Sequence, residues 1–491
     1  MSVFCSVLLA FLPVAATPEA EGVSSAGVMK WLDACDRDID SMHGFVLLRH
    51  GKVVAEGSWK PFNTLEEPHR LSSHSKCFVT TAVGFLVEEG KLDLDTRVVD
   101  VLPDKIPAKP SENLKALRVR DLLTMNLGTV SGNDEHWRDD VSGDWVKAIL
   151  AADLVKQPGL HYEYDSGATH VLGSIVSRLS GMPLEEFLRV RLFSKIGVEK
   201  AWTTHDPCGN ACAAWGFSMT TREISLIGQL YLDKGLWRGE RLFSADWADL
   251  ATTKQTWTGK SPREFQPKND WTYGFGFNWW RCQHGCYRAD GSGGQYTIVF
   301  PAHDAVLSIH ADVDDMQKIL NVVWDDLLPA LSPTALPDDV KGCAALRRRC
   351  AGLSLPTVSG KRDGATAYMG KEFAIKSGPV AIRSLRIDRT GAGWTLRMTT
   401  AAGVCELPVG YGEWKLGAAV VSDKKYEALG DLVGRQRFAA SAAVQDDDSL
   451  KVRLHVLGGP RRMDFHFRTK FFKPSVQGTM AGAGSFKSPL W

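Results

Sequence analysis

The hydrophobic pattern of this 491-residue chain changes its period at a stretch rich in Pro, Ala and Ser, Pro329–Pro337. A helix buries every third or fourth residue and a strand every second, so one layer architecture cannot serve both halves. Before the change, Gly44 to Trp59 reads as two strands around a tight turn. Ser73 to Glu89 then carries apolar residues at Phe78, Val79, Ala82, Val83, Leu86 and Val87, and Gly90 closes the helix this predicts. Helical spacing returns at Arg120–Met125, His170–Leu179, Leu184–Phe193 and Arg222–Leu232. Strand-like runs follow at Tyr273–Arg281, Tyr296–Phe300 and Val306–Ala311, before an amphipathic helix at Met316–Leu327. The order predicts an α+β domain whose antiparallel sheet is assembled from both ends around a helical insertion.

After Pro337 the runs are short and alternating, at Ala381–Asp388, Trp394–Thr399, Leu450–Leu457 and Met463–Phe471. Leu450, Val452, Leu454 and Val456 fall on one face, the pattern of an antiparallel all-β domain. The expected division is a first domain over 25–331, a linker over 332–342 and a β domain over 343–491.

Composition narrows the function. With 58 Lys+Arg against 57 Asp+Glu the net charge is +1, which lacks the basic surplus of a nucleic-acid binder. Beyond the first 16 residues no apolar run reaches the 18 needed for an integral membrane span. Residues 1–16 are apolar and end in small residues at Val14 and Ala16, so they are expected to be a signal peptide. The expected location is therefore exported, periplasmic or extracellular, or cytoplasmic if these residues are not a signal, the first Lys being only Lys30. Three cysteine pairs suit local bridges in such a compartment: Cys208 with Cys212, Cys282 with Cys286, and Cys343 with Cys350. Cys77 sits in an apolar run and reads as a buried free thiol.

Three segments could carry chemistry. In Leu71-Ser-Ser-His-Ser-Lys76, Ser73 stands three positions before Lys76 at the start of the long helix. At that spacing hydroxyl and amine share a helix face, and the helix N-terminus favours negative charge beside it. A lysine held neutral by burial would take the Ser73 proton and activate it for acyl transfer. Ser422-Asp-Lys-Lys425 has the same spacing but no such setting. The second segment, His161-Tyr-Glu-Tyr-Asp-Ser166, enters another helix. Tyr164 reads either as an aromatic beside a helix cap or as a proton partner of Lys76. In the third, Tyr287-Arg-Ala-Asp-Gly-Ser-Gly-Gly-Gln-Tyr296, the glycines mark a tight turn or a strand edge where a carbonyl meets backbone N–H donors.

Ser73/Lys76, Tyr164-Asp165-Ser166 and Ala289-Asp290-Gly291, in that order, resemble the serine β-lactamase and penicillin-binding-protein superfamily. The likeness is to its class C β-lactamase-related serine hydrolases, a branch with esterases, D-amino-acid peptidases and 6-aminohexanoate-dimer hydrolase. Arg120-Asp-Leu-Leu-Thr-Met, Trp215-Gly-Phe-Ser-Met-Thr-Thr-Arg and Tyr273-Gly-Phe-Gly-Phe are similar to family segments, over about Ser25 to Leu331. The resemblance implies a β-lactamase-like fold, an antiparallel sheet flanked by helices with a helical subdomain. It implies Ser73 as acylated nucleophile, Lys76 as its base partner and Tyr164 as the motif tyrosine. Ser166 stands where the family has Asn, and Ala289-Asp290-Gly291 where it has Lys-Thr-Gly, so Gly291 and Ser292 would hold the oxyanion edge. The lysine that would meet a β-lactam carboxylate is missing.

The expected function is thus a serine hydrolase acting on a small ester, amide or peptide through an acyl-enzyme, with no cofactor and no metal. The rivals are a β-lactamase or D,D-peptidase, and a catalytically silent protein that binds cell-wall or acyl ligands. His74, His161 and His170 are read as core or surface histidines, and Arg281, Arg288 and Asp290 beside the third segment either set substrate charge preference or form a rim ion pair.

Overall fold

The computed structural model describes residues 12–130, 136–259, 262–365, 367–376, 382–391, 393–400, 402–420, 434–470, 473–480 and 484–487. The expected signal peptide up to residue 11, and Ser422–Lys425, lie outside them. The end of that segment, from Leu12, is packed. The Ala15 N–H donates to the Val53 carbonyl at 2.9 Å, and the Val53 N–H to the Pro13 carbonyl at 2.8 Å.

Helix α1 (Ser25–Asp38) leads into β1 (Met42–Arg49) and β2 (Lys52–Ser58). His50 and Gly51 between the strands take φ of 50° and 69°, the pair of left-handed residues that a two-residue hairpin needs. Helices α2 (Lys76–Glu88), α3 (Ser166–Ser180) and α4 (Thr221–Leu232) follow, then strands β3 (Trp280–Arg281), β4 (Tyr287–Gly291), β5 (Gln295–Phe300) and β6 (Ala305–Ala311), and helix α5 (Met316–Val322). The sheet runs β2-β1-β6-β5-β4-β3, antiparallel throughout, so β1 pairs with β6 from the far end of the domain. That is the expected α+β sheet closed from both ends.

Every residue of β1 is buried, which is why Phe45-Val-Leu-Leu48 is a continuous apolar run rather than an alternating one. Val46 and Leu48 join Phe78 and Val79 of α2 in one core. Phe45 and Leu47 join Trp31 of α1 and Leu320 of α5 in the other.

Three expectations change. Of Tyr273–Arg281 only Trp280–Arg281 is strand, because Gly274 at φ 107° turns the chain and Phe275 pairs with Thr256 instead. The expected linker runs into a helix, α6 (Val340–Ala351), capped by Asp339, whose Leu346 is buried in the core shared with α1. No described cysteine is bridged. Cys343 and Cys350 lie on this one helix, seven residues and about 10 Å of rise apart, beyond the reach of a disulfide. Cys77 is buried and free, as read.

The C-terminal region is all β after α6. Strands β7 (Glu372–Ala374), β8 (Ile382–Thr390), β9 (Gly393–Thr400) and β10 (Gly403–Val409) form one sheet. A second contains β11 (Lys415–Val420), β12 (Arg435–Val444), β13 (Leu450–Val456), β14 (Arg461–Lys470), β15 (Lys473–Met480) and β16 (Gly484–Lys487) in sequence order. Leu450, Val452, Leu454 and Val456 are all buried on one face, against Leu385, Leu396 and Phe465. Among the described residues no helix is long and apolar enough to cross a membrane.

Candidate active site

The first segment is built by a break in the backbone. A two-residue strand, His69–Arg70, ends at Leu71, and Ser72 takes a left-handed φ of 50° before a single 3₁₀ turn, Ser72–Ser75, runs into α2. A hydroxyl residue at φ near 50° is strained, and the turn it makes leaves Ser73 half-buried at the head of the helix. Lys76 is 2% exposed, and its Nζ donates to Ser73 Oγ at 2.9 Å. The same amine donates to the Ala214 carbonyl at 2.8 Å and lies 3.4 Å from Ser166 Oγ.

The second segment arrives through its helix cap. Asp165 accepts the Gly167 N–H at 2.7 Å, which starts α3 at Ser166 and points that hydroxyl at Lys76. Tyr164, one residue earlier, lies with its ring centroid 5.1 Å from Lys76 Nζ, a cation–π distance. The same ring stacks on Trp280 at 5.9 Å and 20°.

The third segment is the end of β4. Gly291 packs on the turn that carries Ser73, against the Leu71 carbonyl and the His74 N–H. The chain reverses through Ser292, which is exposed, and Gly293 and Gly294 at φ 85° and 91°. Buried Gln295 braces this turn, donating to the Ser292 carbonyl at 3.2 Å and the Ala311 carbonyl at 2.7 Å.

Arg288 and Asp290 are not a rim pair. Arg288 Nε meets Asp290 Oδ2 at 2.8 Å with side chains 0% and 8% exposed, and the guanidinium lies 4.5 Å over Trp271. Alternation along β4 explains it, since both residues point to the face covered by Trp271 and Tyr296. Burial pushes the Asp290 carboxyl up, against the pull of Arg288 and, more weakly, Lys76. Arg281 spends its guanidinium on the Thr252 and Gly285 carbonyls at 3.0 and 3.1 Å.

The histidines stand elsewhere. His74 is buried with Nε2 2.8 Å from Thr297 Oγ1, and burial lowers its pKa to about 3, so it is neutral. His170 pairs with buried Asp206 at 3.2 Å, and His161 is exposed. Among the described residues no three His, Cys, Asp or Glu side chains are grouped to hold a metal ion.

Ser73, Lys76, Tyr164, Ser166 and Gly291, scattered over more than 200 positions of sequence, thus meet at the head of α2. Sequence reasoning missed Ala214, whose carbonyl anchors Lys76, and Trp280, which seats Tyr164. A main-chain acceptor leaves no residue signal, whereas the aromatic run ending in Trp280 was visible and read as strand.

The Beta-lactamase family model matches residues 36–318, more than half of the chain and all of these positions. The chain belongs to the beta-lactamase family. It is a hydrolase of the serine β-lactamase and penicillin-binding-protein superfamily. The 6-aminohexanoate-dimer hydrolase of Paenarthrobacter ureafaciens is 25% identical over 324 residues, 60% of this chain and 81% of that protein. Penicillin-binding protein 4 of Amycolatopsis lactamdurans is 24% identical over 308 residues, 56% of this chain and 80% of its own. In fold, the solved structure of SurE with D-Leu covers 94% of this chain and 99% of its own, at 16% identity and a TM-score of 0.50.

Proposed function

We propose that this protein cleaves esters or amides through an acyl-enzyme on Ser73. The observation that carries the reading is the 2.9 Å hydrogen bond between the buried Lys76 amine and Ser73 Oγ. A lysine wrapped in protein, with its amine on a hydroxyl, is a proton acceptor waiting for a neutral state.

In the proposed reaction Ser73 Oγ attacks the carbonyl carbon while its proton passes to the Lys76–Tyr164 pair. The carbonyl oxygen gathers charge between the N–H groups of Ser73 and Ser292. Such a donor contributes on the order of 10²–10³ in rate. The intermediate collapses, the carbon–oxygen or carbon–nitrogen bond breaks, and the leaving alcohol or amine takes the proton. Water then attacks the acyl carbon and gives a proton to the same pair. The bond from that carbon to Ser73 Oγ breaks, Ser73 Oγ takes the proton back, and the acid leaves. Lys76 and Tyr164 titrate together, so the proton belongs to the pair. Ser166 would orient the substrate from beside Lys76, as a donor or acceptor with one oxygen where the superfamily pattern has an amide.

Ala289 offers no cation to a β-lactam carboxylate, and the neighbouring Asp290 is a carboxyl already paired with Arg288. This favours esters and linear amides over β-lactams. Export remains part of the reading and rests on the apolar N-terminus.

The test is hydrolysis of a short-chain nitrophenyl ester by the full chain beside Ser73→Ala. Turnover lost in the variant supports the site, and turnover unchanged by it removes Ser73 from the mechanism. The ratio of ester to β-lactam turnover then separates this reading from a β-lactamase.

A further inference from the structure

The C-terminal β region reaches the same site. Between β13 and β14 the chain turns through Leu457-Gly-Gly-Pro460, and this tip sits on the two backbone segments that flank Ser73 and Ser292. The Gly458 carbonyl accepts the Arg70 N–H at 3.0 Å, three residues before Ser73. Pro460 is buried against Gly293, so close that a methyl group on Gly293 would stand 2.9 Å from Pro460 Cβ. Gly459 passes over Arg70, with a hypothetical Cβ 3.6 Å from Arg70 Cβ.

The tip is itself held. The Leu457 N–H donates to the Arg437 carbonyl and the Arg461 N–H to the Gly459 carbonyl, both at 2.9 Å. Leu457, 5% exposed, is part of the core that α1 and the first sheet share. On β13 just before it, His455 packs its ring 5.4 Å from Phe62. A turn anchored on both sides therefore bears on two segments that are weak by themselves. One is a strand of two residues followed, after Leu71, by a left-handed serine, and the other a turn of small residues with two positive φ angles.

We propose that this tip is a positioning element of the active site, with Pro460 fixing the oxyanion turn Gly291–Gly294 and the Gly458 carbonyl fixing the approach to Ser73. The proposal rests on the acyl-enzyme reading above. Pro460 touches no reacting atom, and acts by holding Gly293 and hence the Ser292 N–H in register with Ser73. Donors displaced by about 1 Å cost on the order of a hundredfold in rate, so the tip should be felt in kcat.

The experiment compares the full chain with Pro460→Gly, which removes the wedge, and Pro460→Val, which keeps apolar bulk there. Ester hydrolysis gives kcat and KM, and labelling of Ser73 by a fluorophosphonate probe gives the acylation rate. The expected result is a fall of tenfold or more in kcat and labelling for the glycine variant, with KM within twofold and recovery in the valine variant. Kcat and labelling within twofold of the parent in Pro460→Gly would overturn the proposal. So would a thermal midpoint that falls in step with activity in both variants, since that is loss of fold rather than of register. Should the glycine variant not fold, Pro460→Ala replaces it under the same criteria. Absence of labelling in the parent protein would instead sink the acyl-enzyme reading itself.

Discussion

A methyl group added to Gly291 would stand 2.1 Å from the carbonyl oxygen of Leu71 and 3.1 Å from the His74 nitrogen. Both neighbours are backbone on the turn that carries Ser73, so neither can swing aside. Strand β4 and the head of α2 are thereby pressed together, and the distance between Ser73 and the N–H of Ser292 is set by a residue without a side chain. Gly291→Ala should lower ester turnover by at least about a hundredfold. Its measure is kcat at saturating substrate, with circular dichroism to confirm the helices. Wild-type turnover in Gly291→Ala would mean that β4 does not supply the oxyanion donor.

Lys76 and Tyr164 should differ in what their loss does. Lys76→Met removes the amine that donates to Ser73 Oγ and should cost on the order of 10³–10⁴ in kcat. Tyr164→Phe keeps the ring stacked on Trp280 and removes one member of the proton pair, so a smaller loss, about 10²-fold, is expected. KM for a small ester should move little in either, because neither side chain grips the acyl chain. A KM increase with unchanged kcat in Tyr164→Phe would assign the tyrosine to binding.

Much of this was legible in the sequence, for identifiable reasons. The period-two face of Leu450–Val456 and the helical stripe from Phe78 to Leu86 are local patterns, and local patterns survive without tertiary information. Ser73 and Lys76 were visible because a helix turn places them together whatever surrounds it. The helix at Val340–Ala351 was lost beside a Pro-rich stretch, since its apolar residues are mostly small and only Val340 and Leu346 are bulky enough to mark a period. The burial of Arg288 and Asp290 was illegible for another reason. Charged residues on a strand read as solvent-facing until Trp271 and Tyr296, distant in sequence or on the next strand, cover them. The hairpin tip at Pro460 illustrates the same limit, since its contact with Gly293 joins two regions that sequence analysis treats separately.

The buried ion pair gives an asymmetric prediction. Asp290→Ala strands the Arg288 guanidinium, which cannot shed its charge, and should destabilise the protein by about 3–5 kcal/mol. Arg288→Met leaves a carboxyl that burial already pushes upward, and this one can escape by taking a proton. With its folded-state pKa above its unfolded one, Asp290 in that variant binds more protons when folded, so stability falls as pH rises. Urea unfolding of Arg288→Met at pH 5 and pH 8 should show the variant closer to wild type at pH 5. Equal deficits at both pH values would mean that the carboxyl stays charged.

Acid should loosen the whole first domain through histidines that play no part in the proposed chemistry. His69 and His74 are buried beneath the nucleophile turn, where burial lowers each pKa to about 3. His69 is held by His43 at 2.9 Å and His74 by Thr297 at 2.8 Å, so both serve as neutral hydrogen-bonding rings. Unfolding frees them to titrate near 6.5, so the unfolded chain binds more protons and stability rises with pH between these limits. The contribution is complete above about pH 6.5 and drains as pH falls towards 3. At pH 5 each histidine has lost about 2 kcal/mol. Asp312 opposes them, because burial raises its carboxyl to about 6 and its contribution is lost as pH rises through that value. Burial lowers the pKa values of His43, His310 and His455 in the same way. The histidines therefore outweigh the one carboxyl, and the urea midpoint should fall between pH 7 and pH 5. His74→Gln, which keeps a hydrogen-bonding side chain without the titration, should remove one of these five contributions and flatten part of that fall. An undiminished pH slope in His74→Gln would show that His74 is not the group that charges on unfolding.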